Sequence, residues 1–459
     1  MKLEDIRSAY FVGAGGIGMS ALERYFLSKG IAVAGYDRTP SELTEKLRQE
    51  GADIHYEDNT GLIPASCLDA AHTLVVYTPA IPATHSELTY FRERGFEIQK
   101  RAEVLGELTR AAKGLCVAGT HGKTTTSSMA AHILHQSPVG CNAFLGGITK
   151  NYGTNYLLSA TSPYVVIEAD EFDRSFHHLR PYASAITATD PDHLDIYGTE
   201  EAYLDSFRHY TSLIQPGGAL IIHRNLKMRE DLQAGVRRYD YSRDAGDFHA
   251  AHLEIGGGRI RFDLVSPLGN IEGIELGVPV SVNIENGIAA MALAQIAGVG
   301  ADDIRAAMKS FAGVDRRFDF RINDSRHVLL SDYAHHPAEL RQSILSIREV
   351  FTGRKLTGIF QPHLYTRTRD FYKEFAESLS LLDEVILLDI YPAREAPLPG
   401  VTSRLIYDRL RPGIEKRLLH KEELPALVQQ EDFDVLMVLG AGDVDNYVDE
   451  LAAIIRRKP

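Results

Sequence analysis

Gly119-Thr120-His121-Gly122-Lys123-Thr124-Thr125 follows directly on the apolar run Leu115–Ala118. A strand that ends in a glycine turn and reopens as a helix aims backbone N–H groups at an anion. Gly119, Thr120, His121, Gly122 and Thr125 are therefore read as a phosphate cradle, with Lys123 on the terminal phosphates and the Thr124 hydroxyl on Mg²⁺. In the commoner nucleotide loop four residues separate the first glycine from the Gly-Lys pair, whereas here only Thr120 and His121 intervene. The chemistry is phosphoryl transfer from ATP; a chance Gly-Lys-Thr at a helix start is the bland alternative.

A second apolar run, Tyr164–Glu168, ends in a carboxylate 45 residues after Lys123. Strand ends in a parallel sheet share one rim, so Glu168 can meet a Mg²⁺ held by Thr124. Asp170 and Glu171 are either reserve carboxylates or parts of a solvated loop. In Asp190-Pro191-Asp192-His193-Leu194-Asp195 the imidazole of His193 can serve a second metal, position a phosphate, or be structural. The Asp-x-Asp spacing lacks the glycine and closing glutamate of a calcium loop. Neither His177-His178 nor His335-His336 makes a zinc site by itself, since adjacent residues rarely face one ligand.

Near the start, Gly13-Ala14-Gly15-Gly16-Ile17-Gly18 follows a strand and opens a helix, and Asp37 closes the next strand 19 residues after Gly18. That satisfies the dinucleotide fingerprint and, alone, points to an NAD-dependent oxidoreductase. The physics is broader than that label, because a glycine turn at a helix N-terminus binds any diphosphate, that of a UDP-sugar included. Gly16 and the following Met19-Ser20 are not what a nicotinamide site requires.

Three C-terminal segments carry further polar chemistry: Asp315-Arg316-Arg317-Phe318, Asp332-Tyr333-Ala334-His335-His336-Pro337, and Phe360 to Arg369. The last two lie between a strand and a helix, on the rim where open α/β sheets bind ligands. Guanidinium forks at Arg367 and Arg369 suit carboxylate or phosphate oxygens, the alternative being a surface cluster paired with local acids. For Val435–Leu439 and Gly440-Ala441-Gly442, a purely architectural turn is the better reading.

Alternating strands and helices must position these groups. Residues 9–12, 31–35 and 73–77 read as strands around helices at 18–28, 41–50 and 102–112, hence a parallel sheet. The central part holds the phosphate loop with its helix at 124–135 and strands at 164–168, 183–187 and 219–223. Residues 252–277 read as antiparallel hairpins. The last part alternates again, with strands at 328–330, 356–360, 384–388 and 435–439 and helices at 338–351 and 369–379. Boundaries fall near 108 and 313, giving units 1–108, 109–313 and 314–459.

The chain has 459 residues, enough for about three domains. Forty-nine basic against 62 acidic residues leave a net charge of −13, which disfavours nucleic acid or an anionic membrane as partner. Three scattered cysteines (Cys67, Cys116 and Cys141) suit neither a zinc site nor a disulfide framework. Glu4 and Asp5 precede the first apolar stretch, so no signal peptide is read, and no segment is apolar enough to span a bilayer. A cytoplasmic protein is expected.

Taken together, the segments resemble the Mur ligases of bacterial cell-wall synthesis. The likeness runs nearly end to end: GAGGIGMS at 13–20, GTHGKTTT at 119–126, EADEFDRSF at 168–176, DPDHLDIY at 190–197, NIEN at 283–286, DRRFD at 315–319, DYAHHP at 332–337 and FQPHLYTRTRD at 360–370. The last two are closest to the alanine-adding branch. The resemblance implies an α/β protein with an N-terminal Rossmann-like UDP-sugar domain, a central P-loop ATPase-like domain with a mostly parallel sheet, and a C-terminal Rossmann-like domain. It implies ATP and Mg²⁺ (or Mn²⁺) as cofactors, UDP-N-acetylmuramate and L-alanine as substrates, and a monomer or weak homodimer.

By that resemblance Lys123 contacts the β/γ-phosphates, Thr124 and Glu168 hold one metal, and Glu168 with His193 holds another. Lys123, Glu168 and His193 are its catalytic set. Asn283 and Asn286 bind adenine, and Arg316, Arg317 and Asp332 complete the ATP contacts. Tyr333, His335, His363 and Arg367 meet the muramate and its carboxylate, while Gly15, Gly16, Gly18, Met19 and Ser20 cradle the diphosphate, leaving Asp37 as a hydrogen-bonding group there. The chain departs from the pattern at Val282, where many members have His, and at Leu364, where some have Arg. No lysine occurs between His193 and Lys227, so the carbamylated lysine of several members is absent. A ligase that recycles a ready-made tripeptide onto the same nucleotide sugar is the nearest alternative. A non-catalytic nucleotide-binding regulator is a more distant one.

Overall fold

The computed structural model describes residues 3–78, 81–191, 194–393 and 395–458. Strands β1 (Ser8–Val12), β2 (Ala32–Tyr36), β3 (Asp53–His55), β4 (Thr73–Tyr77) and β5 (Glu97–Lys100) form a sheet in the order β3-β2-β1-β4-β5. Every pairing in it is parallel. Such a sheet is buried on both faces, which is why β1 and β4 read as unbroken apolar runs rather than alternating ones. The switch in strand order lies between β1 and β4, beside the loop that leaves β1.

β6 (Lys113–Ala118), β7 (Asn142–Thr149), β8 (Thr154–Leu157), β9 (Tyr164–Ala169), β10 (Ala183–Ile186), β11 (Ala219–His223) and β12 (Arg237–Tyr241) build the second sheet, ordered β12-β11-β10-β6-β9-β7-β8. It is parallel except for the edge pairing of β8 with β7. One apolar core joins this sheet to the first, with Leu22, Phe26, Leu105 and Leu108 packed together with Phe144, Ile167 and Phe176.

β13 (His249–Gly256), β14 (Arg259–Val265) and β15 (Ile271–Glu275) make a small sheet over the stretch where hairpins are predicted. β16 (Asp319–Asn323), β17 (Val328–Asp332), β18 (Leu356–Phe360), β19 (Glu384–Leu387), β20 (Glu415–Leu418) and β21 (Val435–Leu439) form the last, ordered β16-β17-β21-β18-β19-β20. Only its edge strand β16 is antiparallel.

By packing, the chain divides into two compact units. One comprises 1–250, 264–271 and 286–307; the other comprises 251–263, 272–285 and 308–459. The α/β class with mostly parallel sheets is as the sequence predicts. Among the described residues, no helix is long and apolar enough to cross a membrane.

Candidate active site

In the first unit β6 runs straight into the phosphate loop and the helix Lys123–Gln136. Gly122 is the N-cap of that helix with φ of +80°, and a Cβ there would lie 2.7 Å from Asn286 Oδ1, so only glycine fits. The loop is tied to the next strand end: Thr120 N–H donates to the Ala188 carbonyl at 3.0 Å, and the Thr187 hydroxyl donates to the His121 carbonyl. Thr120 Oγ1 also donates to the Asp190 carbonyl at 2.7 Å. Asn286 stands behind the loop and accepts from Thr126 Oγ1 at 3.2 Å.

Thr124 and Glu168, 44 residues apart, meet on the rim. The hydroxyl donates to the carboxylate, with Oγ1 2.9 Å from Oε1 and 3.0 Å from Oε2. Gly146 N–H donates to the same carboxylate at 3.0 Å, a backbone contact with no local signature in the sequence. A hydroxyl and a carboxylate converging beside a phosphate cradle are hard oxygen donors, the set that Mg²⁺ accepts while keeping water and phosphate ligands. Among the described residues, no group of three or more His, Cys, Asp or Glu side chains is placed to hold a metal ion. His193 and Asp192 lie outside the described residues.

Lys123 is half-buried beside Glu171, which is only 1 % exposed. Burial alone disfavours the ammonium, yet Glu171, Glu168 and Asp170 outweigh it and hold the Lys123 pKa above the ordinary lysine value. Burial pushes the Glu171 carboxyl above its usual range despite Lys123 beside it. His177 is not on this rim: its Nε2 lies 3.0 Å from the Ser206 carbonyl, and burial lowers its pKa to about 4.

The glycine loop after β1 shares this unit. Asp37 accepts from Gly15 N–H at 2.6 Å and from Thr39 N–H at 3.1 Å, so its carboxylate braces the loop from behind. Met19 and Ser20 are buried on the helix Ile17–Ser28. Buried Asn155 on β8 donates to the Ile17 carbonyl at 2.5 Å and to Ser20 Oγ at 3.3 Å, and it accepts from Arg24 at 3.0 Å. This side chain pins the N-terminal sheet to the central one, and nothing in the linear sequence marks it.

The second unit gathers its own cluster at the carboxyl ends of β17 and β18. The guanidinium carbons of Arg316 and Arg317 sit 4.8 and 5.1 Å from the centroid of the Tyr333 ring. Arg316 also donates to the Gly440 and Gly442 carbonyls at 3.3 and 3.0 Å, which gives the C-terminal glycine turn a role in the cluster. The His335 ring lies 5.1 Å from that of Tyr333 and 6.1 Å from that of His363, and His363 stacks on Tyr391 at 5.7 Å. Burial lowers the His335 pKa, with Arg367 and Arg317 adding to the effect and Glu339 opposing it. Asp332 is buried, accepts from Ser343 and from Phe318 N–H at 3.3 Å, and burial raises its carboxyl pKa. Asn283 is 2 % exposed and donates to the Val278 carbonyl at 3.2 Å.

Two local expectations are corrected. The helix predicted to begin at Arg369 begins at Tyr365, capped by Leu364 at φ +71°, so Arg367 stands in its first turn rather than on a loop. Its Nη1 is buried and makes no hydrogen bond. Arg369 is exposed and engaged by its neighbour Asp370 at 2.7 and 3.0 Å, the surface pairing that is the bland alternative.

Family models cover three stretches of the chain: the Mur ligase family catalytic domain matches residues 8–113, the Mur ligase middle domain 117–294, and the Mur ligase glutamate ligase domain 316–442. A UDP-N-acetylmuramate–L-alanine ligase of Phocaeicola vulgatus is 68% identical over 458 residues, covering 100% of both chains. Its namesake in Parabacteroides distasonis is 60% identical, over 99% of this chain and 98% of that one. The crystal structure of a UDP-N-acetylmuramate–alanine ligase from Thermotoga maritima matches with a TM-score of 0.80 at 27% identity, covering 98% of each. A murein peptide ligase from Psychrobacter arcticus shares the fold, with a TM-score of 0.64 at 21% identity over 99% of each chain.

Proposed function

The chain belongs to the Mur ligase family, and we propose from that premise that it joins L-alanine to the lactyl carboxylate of UDP-N-acetylmuramate at the expense of ATP, in peptidoglycan synthesis. The observation that carries the chemistry is the meeting of Lys123, Thr124 and Glu168 around one phosphate cradle.

A carboxylate resists attack by an amine because it is anionic and offers no leaving group. Transfer of the γ-phosphoryl of ATP to one carboxylate oxygen gives an acyl phosphate and ADP. The amine of alanine then adds to the acyl carbon, inorganic phosphate departs with the C–O bond, and the amine loses a proton to give the amide. Bringing two anions together is the main electrostatic problem. The loop N–H groups and Lys123 hold the phosphates, and Thr124 and Glu168 would hold Mg²⁺, which supplies charge neutralisation to the transferred group when bound. Gly15, Gly16, Gly18 and Ser20 are proposed for the UDP diphosphate. Tyr333, His335, His363 and Arg367 are the candidates in the second unit for the muramoyl acid. Cytoplasmic residence and a monomer or weak homodimer complete the proposal.

Phosphate release should be measured with ATP, Mg²⁺ and UDP-N-acetylmuramate across an amino-acid panel that includes the L-Ala-γ-D-Glu-diaminopimelate tripeptide. Release that depends on L-alanine is expected. Release with the tripeptide alone would transfer the assignment to the recycling reaction.

A further inference from the structure

Tyr203 stands on the helix Glu200–Thr211, fully buried, with its hydroxyl 2.7 Å from Thr120 Oγ1 in the phosphate loop. Proton counting gives the direction of that hydrogen bond. Thr120 has one hydroxyl proton and donates it to the Asp190 carbonyl at 2.7 Å, so Tyr203 is the donor. The Thr120 side chain is thus turned into the protein, and its N–H is spent on the Ala188 carbonyl at 3.0 Å. Tyr203 is braced in turn. The Tyr197 ring meets it edge-on with centroids 4.9 Å apart, and the Tyr197 hydroxyl donates to the Glu171 carbonyl at 2.5 Å. One aromatic pair therefore reaches the phosphate loop on one side and, on the other, the residue whose carboxylate holds Lys123.

A phosphate loop works through backbone N–H groups whose directions must be set before the anion arrives. Thr120 and His121 are the only residues between Gly119 and Gly122, so few side chains can hold this loop in place. The Thr187 hydroxyl takes the His121 carbonyl, and Thr120 carries the remaining side-chain tether. A phenol hydroxyl buried away from water is costly to leave unpaired, which makes the Tyr203 bond persistent. We propose that Tyr203 is a positioning residue of the ATP site. Acting through Thr120, it fixes the loop against the segment after β10, so that the N–H groups and Lys123 stand preformed for the phosphates. Phenylalanine would fill the same space, yet it would leave Thr120 tethered by Asp190 and Ala188 alone.

This assignment rests on the ligase reading, and the test separates the two. ATP binding to the full chain is measured by calorimetry, and KM for ATP and for UDP-N-acetylmuramate by initial rates. The proteins are the wild type, Tyr203→Phe, Thr120→Val and the double variant, each also melted. Tyr203→Phe keeps the ring and removes one hydrogen bond. It should weaken ATP roughly 3- to 10-fold in both Kd and KM, while KM for UDP-N-acetylmuramate stays within about twofold. Thr120→Val should cost at least as much, and adding Tyr203→Phe to it should bring no further loss, because both remove the same contact. Unchanged ATP affinity and KM in Tyr203→Phe, whatever its melting temperature, overturn the proposal and leave the ligase reading intact. Additive losses in the double variant also overturn it, since the hydroxyl would not act through Thr120. So does an equal rise in KM for the nucleotide sugar, since the effect would then be general. A wild type that binds no ATP defeats the ligase reading and this assignment with it.

Discussion

The ammonium of Lys123 lies 2.9 Å from one carboxylate oxygen of Glu171 and 2.7 Å from the other, and 2.7 Å from the Gly119 carbonyl. On the proposed reading, Glu171 holds in the free enzyme the charge that the terminal phosphates of ATP take over. Breaking a buried pair from one side leaves an uncompensated charge and costs on the order of 3–5 kcal/mol.

Glu171→Gln should therefore lower the thermal midpoint of the free protein and tighten ATP several-fold, because the competitor is gone. Calorimetric melts with and without ATP check both. Unchanged melting together with unchanged ATP affinity would mean that the pair stores no energy.

Lys123→Ala should reduce ADP formation by two or more orders of magnitude, since it removes the half-buried cation proposed to hold the transferring phosphoryl group, while UDP-N-acetylmuramate binding is retained. Turnover near the wild-type rate would count against a phosphoryl-transfer role for the loop.

Metal dependence should follow Thr124 and Glu168. Chelation with EDTA is expected to stop phosphate release without displacing the nucleotide sugar. Thr124→Val and Glu168→Gln should each raise the Mg²⁺ concentration for half-maximal activity by about tenfold or more, the scale of a lost oxygen ligand. A Mg²⁺ titration identical to the wild type in both variants would remove these residues from the metal site.

Burial lowers the pKa values of His132 and His177 to about 4. In the unfolded chain a histidine titrates near 6.5, so between roughly pH 6.5 and 4 the unfolded state binds protons that the folded state refuses. Stability is complete above that window and falls as pH drops through it, by up to about 1.4 kcal/mol per pH unit for each ring. His132→Gln and His177→Gln should flatten urea-unfolding free energy against pH over this range. A slope equal to the wild type would show that the rings are charged in the folded protein.

Gly122→Ala combines a left-handed backbone with a Cβ 2.7 Å from Asn286 Oδ1. We expect a loss of about 1–3 kcal/mol in stability and a matching fall in kcat/KM for ATP, read by melting and initial rates. A variant with wild-type stability and kinetics would show that the loop relaxes freely at this point.

Much of the site is local in the chain. A glycine turn between an apolar strand and a helix needs only a dozen consecutive residues to declare itself, so the 119–125 cradle and the 13–18 loop are legible, and so is Glu168 at a strand end. Strand runs such as Thr73–Tyr77 and Leu356–Phe360 are legible for the same reason, because burial on both faces leaves them mostly apolar. Arg369 reads like Arg367 in sequence, yet one is spent on Asp370 at the surface and the other turns a buried nitrogen inward. No periodicity distinguishes them.

Composition and order of residues determined the parallel α/β layers and marked the groups proposed for the phosphate chemistry, since each is declared by residues within one turn or one strand. The tertiary structure decided which distant groups complete them. Glu171 found Lys123, Asn155 locked the two sheets, and Tyr203 came to rest on Thr120 across 83 positions of chain. Such pairings are set by the crossing of sheets and helices in three dimensions, and a side chain's partner across that distance has no periodic or local trace for the sequence to carry.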